Sequence, residues 1–452
     1  METISTKAFG AYDLRGIYPG EINEEMAYRI GRCFKKLFGA EKVVVGNDIR
    51  LSGPSIKAAL TKGLSESGVE VNDIGQCGTE MIYFATSHLK AGGGVMITAS
   101  HNPKDYNGMK LVREGARPIS ADTGLKDLAA AVNEELPAAA AVPGVVKNVD
   151  VTEDYINHVL SYIDVSKLKP LTVVANAGNG AVGPFLDLIE KKLPVKLIKI
   201  FNEPDGTFPN GVPNPILVEN RDVTSKAVIE NKADLGVAWD GDFDRCFFFD
   251  EKGTFLEGYY MVGYLAQKFL KKFPGGGVIY DPRVIWNTLD IVEKAGGKPI
   301  LSKSGHAFIK ERMRKEDAVY GGEMSAHHYF RDFSYCDSGM LPFLIVLSLL
   351  SEADAPFSAQ IEERMELFPC SGEINSTVTD AKPILDALEA EYGAMPGAEV
   401  VKIDGISVTF DKWRFNLRMS NTEPVIRLNV ETKGDKKLLA EKTEELLAKI
   451  RK

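Results

Sequence analysis

Apolar positions recur along this chain in two rhythms, and their alternation predicts its architecture. Asn23 is followed by Ala27, Ile30, Phe34 and Leu37, spaced as one face of a helix that Gly39 would stop. Next, 43–45 is a short unbroken apolar run of buried-strand type, 46–54 a loop, 55–67 a helix and 69–74 a second strand. Further on, the apolar run 95–98 predicts a strand that delivers Ser100. The same order recurs with strand 171–175, loop 176–180, helix 182–192, strand 195–201 and a strand 235–239 that delivers Asp240. It recurs again with strand 278–280, loop 281–283, helix 286–295, strand 299–301 and a strand 318–320 that delivers Glu323.

Strand, helix, strand order builds parallel sheet through right-handed crossovers, so three unequal copies predict three related α/β units with mixed, mostly parallel sheets. In open sheets of this kind ligands sit beyond the carboxyl ends of the strands. The loops at Ser100, Asp240 and Glu323 are then corresponding positions, expected to line one central cleft. The last stretch reads differently, with a helix at 383–392, strands at 400–403, 406–410, 414–418 and 425–431, and a charged helix to the end. That pattern predicts a smaller α+β domain. Linkers at 136–145, 250–258 and 369–372 divide the chain into 1–145, 146–250, 251–366 and 367–452.

A length of 452 residues supports several cores rather than one. The net charge of −9 and pI near 5.4 argue against nucleic-acid binding, which depends on Lys and Arg neutralising phosphates. An acidic chain that binds an anion must gather its positive groups locally. Five widely spaced cysteines without a CxxC pair argue against zinc and against a disulfide framework, and favour a reducing compartment. The apolar run 340–350 is too short to cross a bilayer and reads as a buried helix. With no secretory signal pattern at the start, the expected location is the cytoplasm.

Five polar loops carry the candidate chemistry. In TASHNPKDYNGMK, Ser100 is a candidate nucleophile with His101 beside it and Lys104 and Lys110 downstream, a density of donors and cations suited to phosphate. In DGDFDRC, Asp240, Asp242 and Asp244 place three carboxylates on alternate residues, hard ligands suited to magnesium or calcium. An EF-hand is excluded because Arg245 stands where that loop needs glycine. Lys303 and His306 follow one strand, and Glu323, Ser325, His327 and His328 follow another, able to bind sugar hydroxyls, meet charge or move protons. Arg418, Ser420, Asn421, Thr422 and Arg427 cluster about a turn between two strands and suit a phosphate. Gly178, Gly180 and Gly183 have GxGxxG spacing, but no acidic residue ends the next strand, so they read as a tight strand-to-helix turn rather than a dinucleotide site.

Together TASHNPKDYNGMK, DGDFDR, SKSGH, GEMSAHH and RMSNTEP resemble, in order and over essentially the whole chain, the five signatures of the α-D-phosphohexomutase superfamily, in particular its bacterial phosphomannomutase/phosphoglucomutase type. The resemblance implies a fourth domain of TATA-binding-protein-like fold and a phosphorylated serine at Ser100. It further implies that Ser100, Asp240, Asp242 and Asp244 hold Mg2+, that Glu323 and Ser325 bind sugar hydroxyls, and that Arg418, Ser420, Asn421 and Thr422, with Arg427 in the same turn, hold the phosphate not being transferred. Tyr12 and Arg15 match another active-site position, as do His101, Lys110, Arg245, Lys303, His306 and His327, with a general acid or base among the lysines and histidines. Arg283 stands where a lysine is common and Ala326 where glycine is common; both bear on sugar preference. The implied reaction is the interconversion of mannose 6-phosphate and mannose 1-phosphate through a hexose 1,6-bisphosphate, in a monomer or weak homodimer serving GDP-mannose and polysaccharide synthesis. Glucose or dual specificity, and a magnesium-dependent sugar-phosphate hydrolase, remain the alternatives.

Overall fold

The first predicted helix forms as Glu24–Phe38, because the Asn23 side chain accepts a hydrogen bond from the Met26 N–H at 3.0 Å and Gly39 closes the far end at φ 68°. Its apolar face, with Met26, Ala27, Ile30 and Phe34 buried, packs into the first core. The computed structural model describes residues 4–419 and 425–451. Ser420, Asn421 and Thr422 therefore lie outside the described residues.

Residues 1–255 and 327–354 form one compact unit, and 256–326 with 355–452 form a second. In the first unit, one sheet runs in the order Leu14–Ile17, Tyr106–Arg113, Gly93–Ile97, Lys42–Asn47, Glu70–Gln76 and Val146–Asn148. Its centre is parallel, and Tyr106–Arg113 returns antiparallel beside Gly93–Ile97 with Lys110 opposite Met96. The other sheet runs Phe255–Leu256, Cys246–Phe249, Leu235–Trp239, Thr172–Asn176 and Lys196–Ile200. Leu235–Trp239 is parallel to Thr172–Asn176 and antiparallel to Cys246–Phe249. The mixed, mostly parallel sheets expected from the pattern are therefore present.

The predicted helix at 340–350 is Met340–Glu352, apolar on every side and buried along most of its length. The segment 327–354 goes with the first unit for a packing reason. The Phe343 ring meets Trp239 edge-on at 5.5 Å, the Trp239 Nε1–H donates to the Gly339 carbonyl at 3.1 Å, and Tyr162 meets Phe330 edge-on. Its position in sequence, inside the third repeat, does not reveal those partners.

The second unit contains the parallel strands Lys298–Leu301, Gly277–Tyr280 and Tyr320–Gly322. It also contains an antiparallel sheet in the order Ile374–Thr377, Val425–Thr432, Trp413–Met419, Ile406–Thr409 and Glu399–Val401. Helices Ala381–Gly393 and Lys436–Ile450 supply Leu385, Leu388, Leu446 and Ile450 to its core. Hairpin strands with two helices are the α+β arrangement the last stretch predicts.

Several helices of the described residues have no counterpart in the pattern, among them Thr79–His88, Lys126–Ala131, Thr152–Leu160, Asp222–Asn231, His306–Glu316 and Phe357–Leu367. Thr79–His88 is buried on almost every side and shows no amphipathic period, whereas His306–Glu316 is so rich in charge that its few buried residues, Ala307, Ile309, Lys310 and Met313, are masked.

Candidate active site

Two loops of the first unit meet at the carboxyl ends of parallel strands, one carrying Ser100 beyond Gly93–Ile97 and one carrying residues 240–245 between Leu235–Trp239 and Cys246–Phe249. The approach is close enough to require glycine, since a Cβ at Gly241 would lie 2.6 Å from the Ser100 carbonyl oxygen. Ser100 itself has φ 48° and Phe243 φ 43°, left-handed conformations that cost non-glycine residues roughly 1–3 kcal/mol each. The surrounding contacts must hold both loops in place.

Ser100 is 2 % exposed, and its hydroxyl donates to Asp240 Oδ2 at 2.8 Å. The His101 Nδ1 lies 3.1 Å from the same hydroxyl and 2.6 Å from the Arg245 Nη2. Arg245 also donates through Nε and Nη2 to Asp240 Oδ2, at 3.0 and 2.8 Å. Burial, and then the Arg245 guanidinium, hold His101 well below the usual histidine range. Its ring is therefore neutral, with Nδ1 accepting and the proton on Nε2.

Lys110 reaches from the returning strand to Asp242 Oδ2 at 2.8 Å and Asp244 Oδ2 at 2.5 Å. Burial would lower the ammonium, but the two carboxylates override it and raise it above the ordinary lysine range. Burial likewise pushes the Asp242 carboxyl up, and Lys110 overrides it and leaves this carboxyl below the ordinary range. Burial, then repulsion from Asp242, raises Asp244 well above that range. Three carboxylates this close repel one another unless a cation lies among them.

One ligand atom from each of Asp240, Asp242 and Asp244 fits within 4.8 Å of the others. Asp242 Oδ1 and Asp244 Oδ1 are buried without a hydrogen-bond partner. Orphaned carboxylate oxygens and an all-oxygen donor set suit a hard dication such as magnesium. Asp244 Oδ1 also lies 3.9 Å from His327 Nε2, and the backbones of Arg245 and His327 form a bridge. Arg15 donates to Asn102 Oδ1 at 2.8 Å and pairs with Asp13, so the opening AYDLRG stretch reaches the serine loop. Tyr12 lies half-buried in the same stretch.

Four residues that sequence reasoning passed over complete this group. Thr79 donates to Asp242 Oδ2 at 2.5 Å, Thr98 donates to Asp48 Oδ2 at 2.6 Å, and Thr98 Oγ1 accepts the Ser100 N–H at 2.8 Å. Arg50, 1 % exposed, lies beneath the serine loop. For Asp48 and Arg50 the signal is present in NDIRLSG, two charges directly after a buried strand, at a position equivalent to the Ser100 and Asp240 loops; Thr79 and Thr98 carry no such signal.

The remaining candidates gather in the second unit. Arg283 forks onto Asp281 with two bonds of 2.9 Å, lies 3.6 Å from Glu323, and donates to Ser325 Oγ at 3.4 Å. Glu323 Oε1 accepts the Gly305 N–H at 2.9 Å, just before His306 opens its helix, and Lys303 lies 4.6 Å over the Phe308 ring. Arg418 donates to Glu373 Oε2 at 2.6 Å, and Arg427 lies 3.6 Å from Glu373. Burial would raise the Glu373 carboxyl, but Arg418 and Arg283 override it and leave it lowered. Arginines from three segments therefore meet at one acidic residue the sequence had not marked.

The glycines of GxGxxG spacing serve packing. A Cβ at Gly183 would lie 1.8 Å from the Asn202 carbonyl, and one at Gly180 would lie 3.0 Å from the Gly241 carbonyl. Among the described residues no single helix is long and apolar enough to cross a membrane.

Comparison with known proteins gives concordant results. Models of the phosphoglucomutase/phosphomannomutase family match its alpha/beta/alpha domain I at residues 6–138, domain II at 153–253, domain III at 257–368 and the C-terminal domain at 373–449. A protein named "Phosphohexose mutases" from Xanthomonas campestris pv. campestris is 57% identical over 439 residues, covering 97% of this chain and 98% of its own. A "Phosphomannomutase" from Salmonella typhimurium is 56% identical over 447 residues, with the same coverage of 97% and 98%. The crystal structure of a phosphoglucomutase/phosphomannomutase family protein from Burkholderia thailandensis superposes with a TM-score of 0.88 at 31% identity, over 99% of this chain and 98% of that one.

Proposed function

We propose that this chain, which belongs to the phosphoglucomutase/phosphomannomutase family, is a phosphomannomutase that interconverts mannose 6-phosphate and mannose 1-phosphate. Full-length relatives above half identity carry that name. The observation that carries the reading in the structure is the Ser100 hydroxyl, held 2.8 Å from Asp240 in a buried cluster of three aspartates, Lys110 and Arg245.

In this reading Ser100 carries the phosphoryl group and donates it to the free hydroxyl of a hexose phosphate. The Ser100–phosphorus bond breaks as the new sugar oxygen–phosphorus bond forms, giving a hexose 1,6-bisphosphate and a free Ser100. The bisphosphate then turns and returns its other phosphoryl group to Ser100, so phosphorus is conserved over the cycle. Magnesium, held by Asp240, Asp242, Asp244 and the Ser100 phosphate, would neutralise charge on the moving group. Arg245 holds Asp240 and His101 in place and brings its own charge near Ser100, while Lys110 balances Asp242 and Asp244. His101, His306, His327 and Lys110 are the candidate proton carriers for the accepting hydroxyl.

Glu323 and Ser325 are assigned to sugar hydroxyls. Arg418, Ser420, Asn421, Thr422 and Arg427 are assigned to the phosphate not in transfer, with Tyr12, Arg15, Arg283 and Lys303 as further substrate contacts. The division 1–145, 146–250, 251–366 and 367–452 assigns one loop to each domain. The five cysteines are not joined in disulfides, which is in keeping with a reducing setting.

A relative named for hexose phosphates in general favours a second reading, acceptance of glucose phosphates as well. The two sugars differ at one hydroxyl, and few hydrogen bonds separate them. Turnover of mannose 1-phosphate and glucose 1-phosphate, with a trace of hexose 1,6-bisphosphate, tests both readings. Ser100→Ala should lower turnover by at least about three orders of magnitude. Retained mutase activity in that variant removes Ser100 as the carrier, and inorganic phosphate released without isomerised sugar identifies a hydrolase instead.

A further inference from the structure

The loop bearing Ser100 folds over one buried guanidinium. Arg50 donates through Nη2 to the carbonyls of Ser100 at 2.9 Å and Asn102 at 2.6 Å. Through Nη1 it donates to the carbonyls of Pro103 at 2.6 Å and Tyr106 at 2.8 Å. Four carbonyl oxygens from seven consecutive residues thus converge on one planar, five-donor fork, a geometry that no other side chain can supply. Asp48 orients the fork, with Oδ2 3.5 Å from Nε and Oδ1 accepting the Arg50 N–H at 3.0 Å. Asp48 Oδ2 also accepts from Thr98, whose hydroxyl oxygen accepts the Ser100 N–H. The Phe208 ring, 5.4 Å from the guanidinium carbon, covers the outer side.

We propose that Arg50 is a positioning residue for phosphoryl transfer, holding the Ser100 loop in its left-handed conformation so that the serine oxygen stays aligned with Asp240 while the group on it comes and goes. Ser100 at φ 48° is backbone that relaxes unless it is restrained. The restraint is through main-chain carbonyls and is the same whether the side chain is free or phosphorylated. Arg50 makes none of the contacts that Ser100 Oγ, His101 Nδ1 or the three aspartates make with one another, so it acts through the loop and not on the reacting atoms.

The inference rests on Ser100 being the phosphoryl carrier, and its test separates the two. Arg50→Lys keeps a buried charge but cannot reach four carbonyls, and Arg50→Gln removes the charge. Amide hydrogen exchange of the segment 98–106 should quicken at least about tenfold in Arg50→Lys while the strand Lys42–Asn47 keeps its protection. In turnover, kcat should fall by about 100-fold with KM for the hexose phosphate changed less than about threefold, because the sugar contacts are elsewhere. Unchanged exchange at 98–106, or a loss in kcat that only follows the folded fraction seen by thermal denaturation, overturns the positioning role. Should Arg50→Gln not fold, Arg50→Lys and the milder Asp48→Asn give the same two readouts. If the wild-type chain shows no mutase turnover the proposed function fails, yet the exchange result still decides whether Arg50 restrains the loop.

Discussion

At the scale of single residues, burial outweighs hydrogen bonding at one carboxyl group, that of Glu80. Glu80 is fully buried at the start of the helix Thr79–His88, and it accepts from the Tyr155 hydroxyl at 2.5 Å, the Ser338 hydroxyl at 2.9 Å, and the N–H groups of Gly339 and Met340 at 2.6 and 3.1 Å. Burial, the largest influence, pushes its carboxyl up to about 7 despite those four donors. An unfolded chain releases this proton near the ordinary value of 4.5, so between 4.5 and about 7 the folded chain binds more protons than the unfolded one. Stability contributed by Glu80 therefore falls as pH rises through that window and is level above it, by on the order of 3 kcal/mol in all. Urea denaturation at pH 5 and pH 8 should show Glu80→Gln losing this share of the pH dependence. An identical difference between wild type and variant at both pH values would exclude the assignment. Nothing in the sequence marks Glu80, because its partners come from residues 155 and 338–340.

At the scale of elements, two loops face each other across a gap that only hydrogen fits. Gly241→Ala would place a methyl group 2.6 Å from the Ser100 carbonyl, and the atoms to be displaced are backbone. The expected result is a fall in kcat of about 100-fold as the serine and aspartate loops move apart, with a loss of stability of only about 1–3 kcal/mol. Mutase assays and thermal denaturation on the same preparation check it, and wild-type kcat with a folded variant would show that the approach is not needed. Legibility at this scale followed local signals. The helix Glu24–Phe38 was evident from its cap, its period and its glycine stop, whereas Thr79–His88, apolar all round, carried no period to detect.

At the scale of the whole molecule, the buried pair of Arg414 and Glu431 is among the contacts that join the second unit internally. Arg414 and Glu431 lie on neighbouring strands of the antiparallel sheet, 2.8 Å apart and almost without exposure. Arg414 donates to the carbonyls of Pro282 and Arg283, and Glu431 accepts from the Ile285 and Trp286 N–H groups and the Tyr259 hydroxyl. The sheet is thus tied to the loop that presents Arg283. Removing one partner leaves a buried charge, so Arg414→Met should cost about 3–5 kcal/mol and Glu431→Gln a similar amount. The double variant should lose less than the sum of the two. Equilibrium denaturation measures all three, and strict additivity would show the pair is not coupled.

By itself the sequence determined the three strand–helix–strand repeats, the family and the loops with chemistry on them, because those signals lie in short contiguous stretches whose periodicity and residue types do not depend on distant neighbours. Only the tertiary structure decided which ordinary-looking side chains hold that chemistry in place. Arg50, Asp48, Thr79, Glu80 and Glu373 acquire their roles from burial and from partners far along the chain. The assignment of 327–354 to the first unit is of the same kind, since it depends on which rings and carbonyls its helix meets. Long-range packing is what converts a loop of polar residues into a site with a fixed geometry.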